Sequence, residues 1–464
     1  MFIRKQEIIV AGGGISGVTA AIAAAKSGVR VLLVSNEGSA GGDACTGMPI
    51  LGTYSSMGEK CVGGILDELL AICKTIPGGY IGPVCDYRTV YGLCVNPAAM
   101  QIAIFSILKK YNVDILLNST VCGVDNGNGR VNAINVVTRD GATQHFECSY
   151  IVDATGRGNI VKMAGGSVLY GDESGNMQPV SLVFRMAGVK FEPFLRFIRE
   201  NPEEAILAEN QVMERDKAKA AEMLCSKGYP YVALSAQGKL LGDAIRKSEI
   251  YPCTAMFMTP ASMQAGEVCV NSTRIAQVDA SCAEAVSDAM KELSEQVRSA
   301  VKFLTAKVPG FEDSVLSAVA HRLGVRETGR IEGKYTLTQE DVVSGRKHSD
   351  GIGQGTHHVD IHGAGTGQVR IPVKGGGAYD IPFGSLLPSG LKNVIAAGRC
   401  ISSDRGANGS ARVMGTCIVT GQAAGAAVSL AAAQEMDGLD KIDVMKLRKI
   451  LSDQGVVFSN FYNQ

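Results

Sequence analysis

Apolar residues fall into three textures along the chain. EIIVA at 7–11 and VRVLLV at 29–34 are short, unbroken apolar runs, the pattern of strands covered on both faces, and the Ala-rich stretch 15–27 between them reads as a helix. Strand, glycine turn, helix and strand in that order make a βαβ unit. Pro97 opens an amphipathic helix over 97–111 that ends on Lys109 and Lys110. Short strands follow over 113–137, with an Asn/Gly turn at 126–129, and YIVDA at 150–154 is another buried strand. From about residue 167 charges alternate, and segments 192–225 and 280–307 read as helices with one solvated face. Residues 344–380 are glycine-rich, strand-like, and carry four of the six histidines. The opening texture returns as a strand within 391–400 and a small-residue helix over 415–433; 437–464 reads as a short helix and tail.

Composition narrows the partners. Forty-five basic residues balance forty-five acidic ones, so nothing favours nucleic acid or an anionic membrane surface. Arg4 and Lys5 before the apolar run at Ile8 imitate a secretory signal, but Gly12, Gly13, Gly14 and Gly17 interrupt it, and a strand entering a helix fits better. No other unbroken apolar stretch has the length of a membrane span, so none is expected. Thirteen cysteines occur without one C-x-x-C pair, which argues against zinc knuckles, iron–sulfur clusters and a disulfide framework. Buried thiols in a reducing cytoplasm are the expectation.

The glycines carry the first chemical signal. Gly12-Gly13-Gly14-Ile15-Ser16-Gly17 matches G-x-G-x-x-G between strand and helix. Gly12 permits the tight turn, Gly14 lets a pyrophosphate approach the backbone, and Gly17 allows helix and strand to close; the helix N-terminus supplies amides to the anion. The ribose-binding carboxylate belongs at the end of the second strand, where this chain has Ser35, with Glu37 the nearest acid. Further elements are Ser39-Ala40-Gly41-Gly42, Asp153-Ala154-Thr155-Gly156, and Gly398-Arg399 ahead of a helix opening at Gly415–Thr416.

With these motifs the chain resembles the glutathione-reductase-type flavoprotein superfamily. Within it, the chain is similar to FAD-dependent oxidoreductases distantly related to fumarate reductase flavoproteins. RLGVRETGRIEG at 322–333, YDIPF at 379–383 and the stretch Asn393–Gly425 carry that likeness. It implies non-covalently bound FAD and redox activity without naming a substrate. Gly12, Gly14, Ser16, Gly17, Glu37, Gly41, Gly42, Thr155, Gly156, Gly398, Arg399, Gly415 and Thr416 are the expected cofactor contacts. The expected architecture is α/β: a Rossmann-type FAD-binding domain (1–166 and 379–436), an inserted α+β substrate domain (167–378), and a C-terminal helix and tail (437–464). Disulfide reductases, flavin hydroxylases with Gly-Asp at the late strand, and tryptophan-dependent halogenases fit poorly, since the chain has no paired cysteines, carries Gly398-Arg399, and has no Trp.

Candidate reactive groups cluster late. Arg322, Arg326 and Arg330 recur at every fourth residue and share a face if helical, suggesting an anion-binding row; Arg322 and Arg405 are assigned to substrate and Arg326 to catalysis. On a strand His358, Asp360 and His362 share a face; His362 or His358 would move a proton and Asp360 orient it. His321 is a further acid/base candidate, and Cys45 a thiol near substrate; no metal site is expected. The glycine cluster Gly363-Ala364-Gly365-Thr366-Gly367 precedes a strand-like QVRIPV, so a second nucleotide site is not expected. The leading expectation is a dehydrogenase or reductase moving hydride between FAD and a small, anionic organic substrate. A flavin-dependent isomerase or hydratase, and an electron-relay subunit, stay open as alternatives. So do an electron-transfer partner protein and a homo-oligomer.

Overall fold

The computed structural model describes residues 5–210, 212–363 and 367–459. Its first unit contains β1 (Lys5–Ala11), α1 (Ile15–Ala25), β2 (Val31–Val34), α2 (Ile65–Thr75), the hairpin β3 (Tyr80–Cys85) and β4 (Tyr91–Val95), and α3 (Pro97–Lys110). Then come β5 (Asp114–Leu116), β6 (Thr120–Gly127), β7 (Arg130–Val137) and β8 (Thr143–Asp153). The strands order as β5-β2-β1-β8-β7-β6, and Val394–Ala396 adds to β8 as the seventh. β1 is parallel to both neighbours, Val10 facing Leu33 on one side and Val152 on the other. Ile395 pairs with Val152 in parallel register, so chain from the far end of the sequence returns beside the first strands. Ile8, Ile9 and Val10 are fully buried, as an unbroken apolar run in a covered parallel sheet must be.

Helix Met414–Ala433 lies along α1 at glycine-limited distance. A Cβ on Gly421 would stand 2.2 Å from the Ser16 carbonyl oxygen, and one on Gly425 2.1 Å from that of Ala20. This helix corrects one expectation, because by length and hydropathy it is able to cross a membrane. Of its most apolar eighteen residues 89% are instead buried inside the protein, against α1 and the sheet.

The second unit is a five-stranded antiparallel sheet ordered Val232–Ser235, Ala255–Ser262, Glu267–Asn271, Phe184–Ala187, Val315–Val319. One continuous helix, Ala283–Lys307, buries Leu293, Val297, Ala300, Phe303 and Leu304 in its core. The helix expected over 192–225 is two, Phe191–Glu200 and Lys217–Lys227, because Pro202 cannot extend the first. Period-two alternation splits this sheet's faces. Leu182, Phe184, Met256, Met258, Val268 and Val270 point into the core, while Val183, Ala255, Phe257, Thr259, Cys269 and Asn271 line a cavity against the first unit. The inserted core ends at Leu323; Leu337, Val342, Ile352, Val359 and Val373 join the first core instead. Residues 337–363 and 367–373, placed by sequence in the substrate domain, therefore pack with the nucleotide-binding unit. Residues 364–366 of the second glycine cluster lie outside the described residues.

Candidate active site

Two connected regions sit at the carboxyl ends of the parallel strands. The first is a backbone cradle. Gly12 has φ +115°, and a Cβ there would lie 2.3 Å from the Ala154 carbonyl oxygen; a Cβ on Gly17 would lie 1.8 Å from that of Gly12. Both glycines are demanded by packing. Gly14 differs: its φ is −67°, which any residue adopts, and no atom lies within 4 Å of where its Cβ would be. The open space at the N-terminus of α1 is where an anion meets backbone amides. Gly41 donates its N–H to the Gly13 carbonyl at 2.8 Å and fixes the second glycine turn against the first. Gly398, with φ +81°, packs so tightly that a Cβ would fall 2.5 Å from Ser16 Oγ.

Three arginines surround this cradle. Arg322 Nη1 stands 2.5 Å from the Cβ position of Gly42, which is itself 3.3 Å from Gly14 Cα, so the guanidinium borders the open space. It pairs with Glu37 at 3.2 Å and, through Nε, with Asp43 at 3.3 Å. Arg399 donates to the carbonyl oxygens of Gly156 at 3.1 Å and Val325 at 2.6 Å. Burial, opposed by Asp43 and reinforced by Arg322 and Arg157, lowers its pKa to about 10. Arg157 is lowered by its burial and by Arg322. Three guanidinium groups against two carboxylates favour a negatively charged ligand.

The second region is a cavity of about 270 Å³ reaching from Asp43, Arg322 and Arg399 to the strand Val359–His362. His362 and Asp360 lie side by side there, Nε2 to Oδ2 3.1 Å. Burial raises the Asp360 carboxyl, but His362, His358 and Arg412 outweigh it and hold the group well below the ordinary carboxylate range. His362 therefore donates Nε2–H to an anion, and its Nδ1 accepts from Arg274 Nη1 at 3.3 Å. Burial, with Arg326 and Arg412 acting against Asp360, drops the His362 pKa to about 4, so the ring is neutral at pH 7. Arg412 donates to the Asp360 carbonyl oxygen at 2.9 Å. Arg326, like Arg399, bonds to no carboxylate. Its hydrogen bonds run from Nη1 to Pro179 O and Ser181 Oγ, at 2.9 and 2.5 Å. Among the described residues no carboxylate lies within ion-pair distance of it, and burial beside Arg412 lowers its pKa to about 9.

A family model for FAD-dependent oxidoreductases matches residues 7–451. The chain belongs to that family. FAD is accordingly the cofactor, and the open cradle with its arginines suits a diphosphate. No protein of curated function matches the oxidoreductase. Among solved structures it is similar to a geranylgeranyl bacteriochlorophyll reductase-like protein from Thermoplasma acidophilum, 13% identical with TM-score 0.45, covering 97% of this chain and 84% of that one. It is also similar to p-nitrophenol 4-monooxygenase PnpA from Pseudomonas putida, 12% identical with TM-score 0.49, covering 97% and 85%. For the flavin-dependent brominase Bmp2 the values are 10%, 0.47, 97% and 83%.

The oxidoreductase sorts the expected site residues into three places. Gly12, Gly14, Ser16, Gly17, Gly41, Gly42, Gly156 and Gly398 surround the cradle with Glu37, Arg322 and Arg399. Arg322 thus stands beside the glycine cradle, at the mouth of the cavity. His358, Asp360, His362 and Arg326 line the cavity. The remainder sit elsewhere, for physical reasons. No helix spans 322–330, so the three arginines do not form a row: Arg330 lies on a strand and closes an ion pair with Glu327 at 2.6 Å. Arg405 shares that buried Glu327 at 3.2 Å and holds Asp172 at 3.3 Å, away from the cavity lining. His321 is exposed beside Glu37, 3.9 Å away. Thr155 gives its hydroxyl to Asp153, 2.6 Å away. Gly415 donates its N–H to Leu51 O at 2.8 Å, and Thr416 is buried; the residues that the helix start presents to the cavity are Val413 and Met414.

Cys45 is a packed thiol. Burial, with the neighbouring Cys73, pushes its pKa up to about 12, and it is not among the cavity-lining residues. Alkylation of the folded protein with iodoacetamide at neutral pH is expected to label exposed Cys122 first and leave Cys45 unmodified, read by peptide mass spectrometry. Early labelling of Cys45 would restore it as a reactive group. Arg88, Arg274, Arg370 and His357 line the cavity without having been singled out by sequence.

Proposed function

We propose that the oxidoreductase is a dehydrogenase or reductase that transfers hydride between FAD and a small carboxylate-bearing substrate held in the cavity. The observation that carries this is Arg326, a partly buried guanidinium on the cavity wall with no carboxylate, among the described residues, within ion-pair distance. Such a cation is costly unless an anion completes it. Arg412, 3.6 Å from Asp360, and Arg274, 3.3 Å from His362, add to the field. Bound FAD supplies the two-electron donor or acceptor. The protein's own groups handle the rest: the arginines orient the anion, and His362 exchanges a proton through Nδ1. Asp360 fixes the tautomer that leaves this nitrogen unprotonated, and a substrate proton would have to displace the hydrogen bond it accepts from Arg274. His358, lining the same wall and held neutral by burial and His357, is the second proton carrier to test.

The motif likeness to glutathione-reductase-type and fumarate reductase flavoproteins supports a redox reading over isomerisation or hydration. A cavity lined by mostly half-buried arginines and by buried histidines favours a substrate-handling enzyme over an electron relay. The unbridged cysteines are consistent with a reducing, cytoplasmic setting.

Anaerobic titration of the holoprotein with 2-hydroxy, 2-amino and saturated carboxylates, and of the dithionite-reduced protein with unsaturated ones, tests the reading. Loss or return of the oxidised flavin band with an acid, and not with its methyl ester, is expected. Arg326→Gln should weaken that response by about a hundredfold, the loss of a charge-assisted contact. Equal responses to acid and ester would remove the anion from the proposal.

A further inference from the structure

Two parts of the cavity wall differ in what they leave unmatched. Around His362 stand Arg326, Arg412 and Arg274, with Asp360 as the carboxylate among them. Where Arg88 and Arg370 meet the inserted sheet, the charges are already paired. Glu209 holds Arg88 Nε and Arg370 Nη1, each at 2.7 Å. Asp86 accepts the backbone N–H groups of Arg88, Thr89 and Val90 at 2.8–2.9 Å, and the Arg88 guanidinium lies over the Phe257 ring at 4.8 Å. A second ion arriving here would give up its water without gaining a free counter-charge.

What this part of the wall leaves unmatched is a hydroxyl. Tyr231 stands just ahead of the strand Val232–Ser235, lines the cavity, and is 3% exposed. Among the described residues no group hydrogen-bonds its Oη. Burial, reinforced by Asp86, raises its pKa well above the ordinary tyrosine value, so the oxygen keeps its proton and stands ready to donate it. Buried tyrosine hydroxyls ordinarily have a partner. The fold makes room for this one. A Cβ on Gly92 of β4 would lie 2.7 Å from Tyr231 Oη and 3.0 Å from Pro49 Cβ, so only glycine seats the phenol there. Pro49 is brought to this place by Ile50, which bridges Leu93 of the same strand. Val84 and Cys94 pack with Tyr231 in a small apolar cluster of their own, and Val90, Val183, Ala255 and Phe257 add apolar lining.

We infer that the substrate carries a single carboxylate on an apolar body bearing a neutral oxygen remote from that carboxylate, and that Tyr231 selects for this oxygen by donating a hydrogen bond to it. The inference deepens the proposed function and rests on its anionic substrate. A second ion has no place beside charges already paired, and a plain hydrocarbon end leaves the phenol unanswered. A ketone, ether or hydroxyl oxygen on a carbon chain meets both conditions. A site built to hydrogen-bond one substrate group rejects the analogue that lacks it, because its own buried group is then left unpaired.

Binding to the holoprotein, read by flavin difference spectra and calorimetry, tests this with matched pairs. These are 4-oxopentanoate against pentanoate, 5-oxohexanoate against hexanoate, and 6-oxoheptanoate against heptanoate, with adipate as the two-ended control. At the best-fitting length, the affinity ratio of keto acid to alkanoate is expected to be about tenfold higher in the wild type than in Tyr231→Phe, the effect of one buried hydrogen bond. Tyr231→Phe keeps the ring beside Gly92 and Pro49, and its FAD content and melting temperature report on the fold. Gly92→Ala, whose methyl displaces the same hydroxyl, should lower the ratio too and serves if the phenylalanine variant misfolds. Adipate is expected to bind at least about tenfold more weakly than hexanoate. Equal ratios in wild type and variants at every length overturn the role of Tyr231, and adipate binding as tightly as hexanoate overturns the neutral end; in both cases the carboxylate reading stands. No binding by any of these acids overturns the inference together with that reading.

Discussion

Gly17→Ala is expected to yield a protein that purifies without flavin and unfolds at far lower temperature than the wild type. The added methyl would stand 1.8 Å from the Gly12 carbonyl oxygen and 3.2 Å from Ala154 Cβ, and a main-chain oxygen cannot swing aside as a flexible side chain can. α1 would have to leave β1, and it is held from the other side by the helix Met414–Ala433, where Gly421 and Gly425 leave no slack. Overpacking of this kind costs about 1–3 kcal/mol or more, a large part of a domain's margin. Gly14→Ala is the matched opposite. Its φ suits alanine and its Cβ meets nothing within 4 Å, so the apoprotein should melt within about 2 °C of the wild type. That methyl, however, enters the space where a diphosphate would approach the amides, and FAD affinity should fall at least about tenfold. Thermal denaturation with and without added FAD reads both variants. A stable, yellow Gly17→Ala protein, or a Gly14→Ala protein with unchanged FAD affinity, would show that the cradle does not work as described.

What could be read from the sequence followed the range of the physics involved. The βαβ start, the strand of 394–396 and the long small-residue helix are local patterns, fixed by burial on both faces and by glycine spacing, and they stand where periodicity put them. The histidine strand was legible too, because a period of two places Asp360 and His362 on one side whatever packs above them. Its partner strand held the missing information. With Gln368–Ile371 antiparallel to Val359–His362, Arg370 falls opposite Asp360, a pairing the register dictates.

The arginine row was misread for a related reason. Spacing of four means a shared face only in a helix, and this segment has Gly324 and Gly329 within it and no helix at all. Each arginine there answers to a different tertiary neighbour: Arg322 to Glu37 and Asp43, Arg326 to the Pro179 carbonyl, Arg330 to Glu327. Arg88 and Arg274 are single residues in irregular chain, brought to the cavity by contacts far apart in sequence. No local signal announces them. The same holds for Leu337, Val342, Ile352, Val359 and Val373, which join the first core although the whole inserted sheet precedes them in the chain.

Asp360→Asn is expected to damage the oxidoreductase more than any other single change in the cavity, and acid should reveal why. Asp360 is the anion shared by His362 at 3.1 Å, Arg412 at 3.6 Å and Arg370 at 3.8 Å. Removing one side of such a buried cluster leaves uncompensated cations and costs about 3–5 kcal/mol. The wild-type carboxylate, depressed well below the ordinary range, contributes stability above the unfolded pKa near 4 and loses it only as pH falls through a lower folded value. His362 works over a higher window. Its folded pKa of about 4 lies below the ordinary histidine value, so the unfolded chain takes up a proton first and stability falls as pH drops from about 6.5 to 4. Over that window the loss is about 3 kcal/mol. Denaturant unfolding across pH 4–8 should therefore show a slope that His362→Gln flattens, while Asp360→Asn lowers the whole curve and keeps the slope, since burial and the arginines still oppose a charged ring. A His362→Gln curve parallel to the wild type would mean that the ring is not held neutral in the folded protein, and its part in accepting a proton would fall with it.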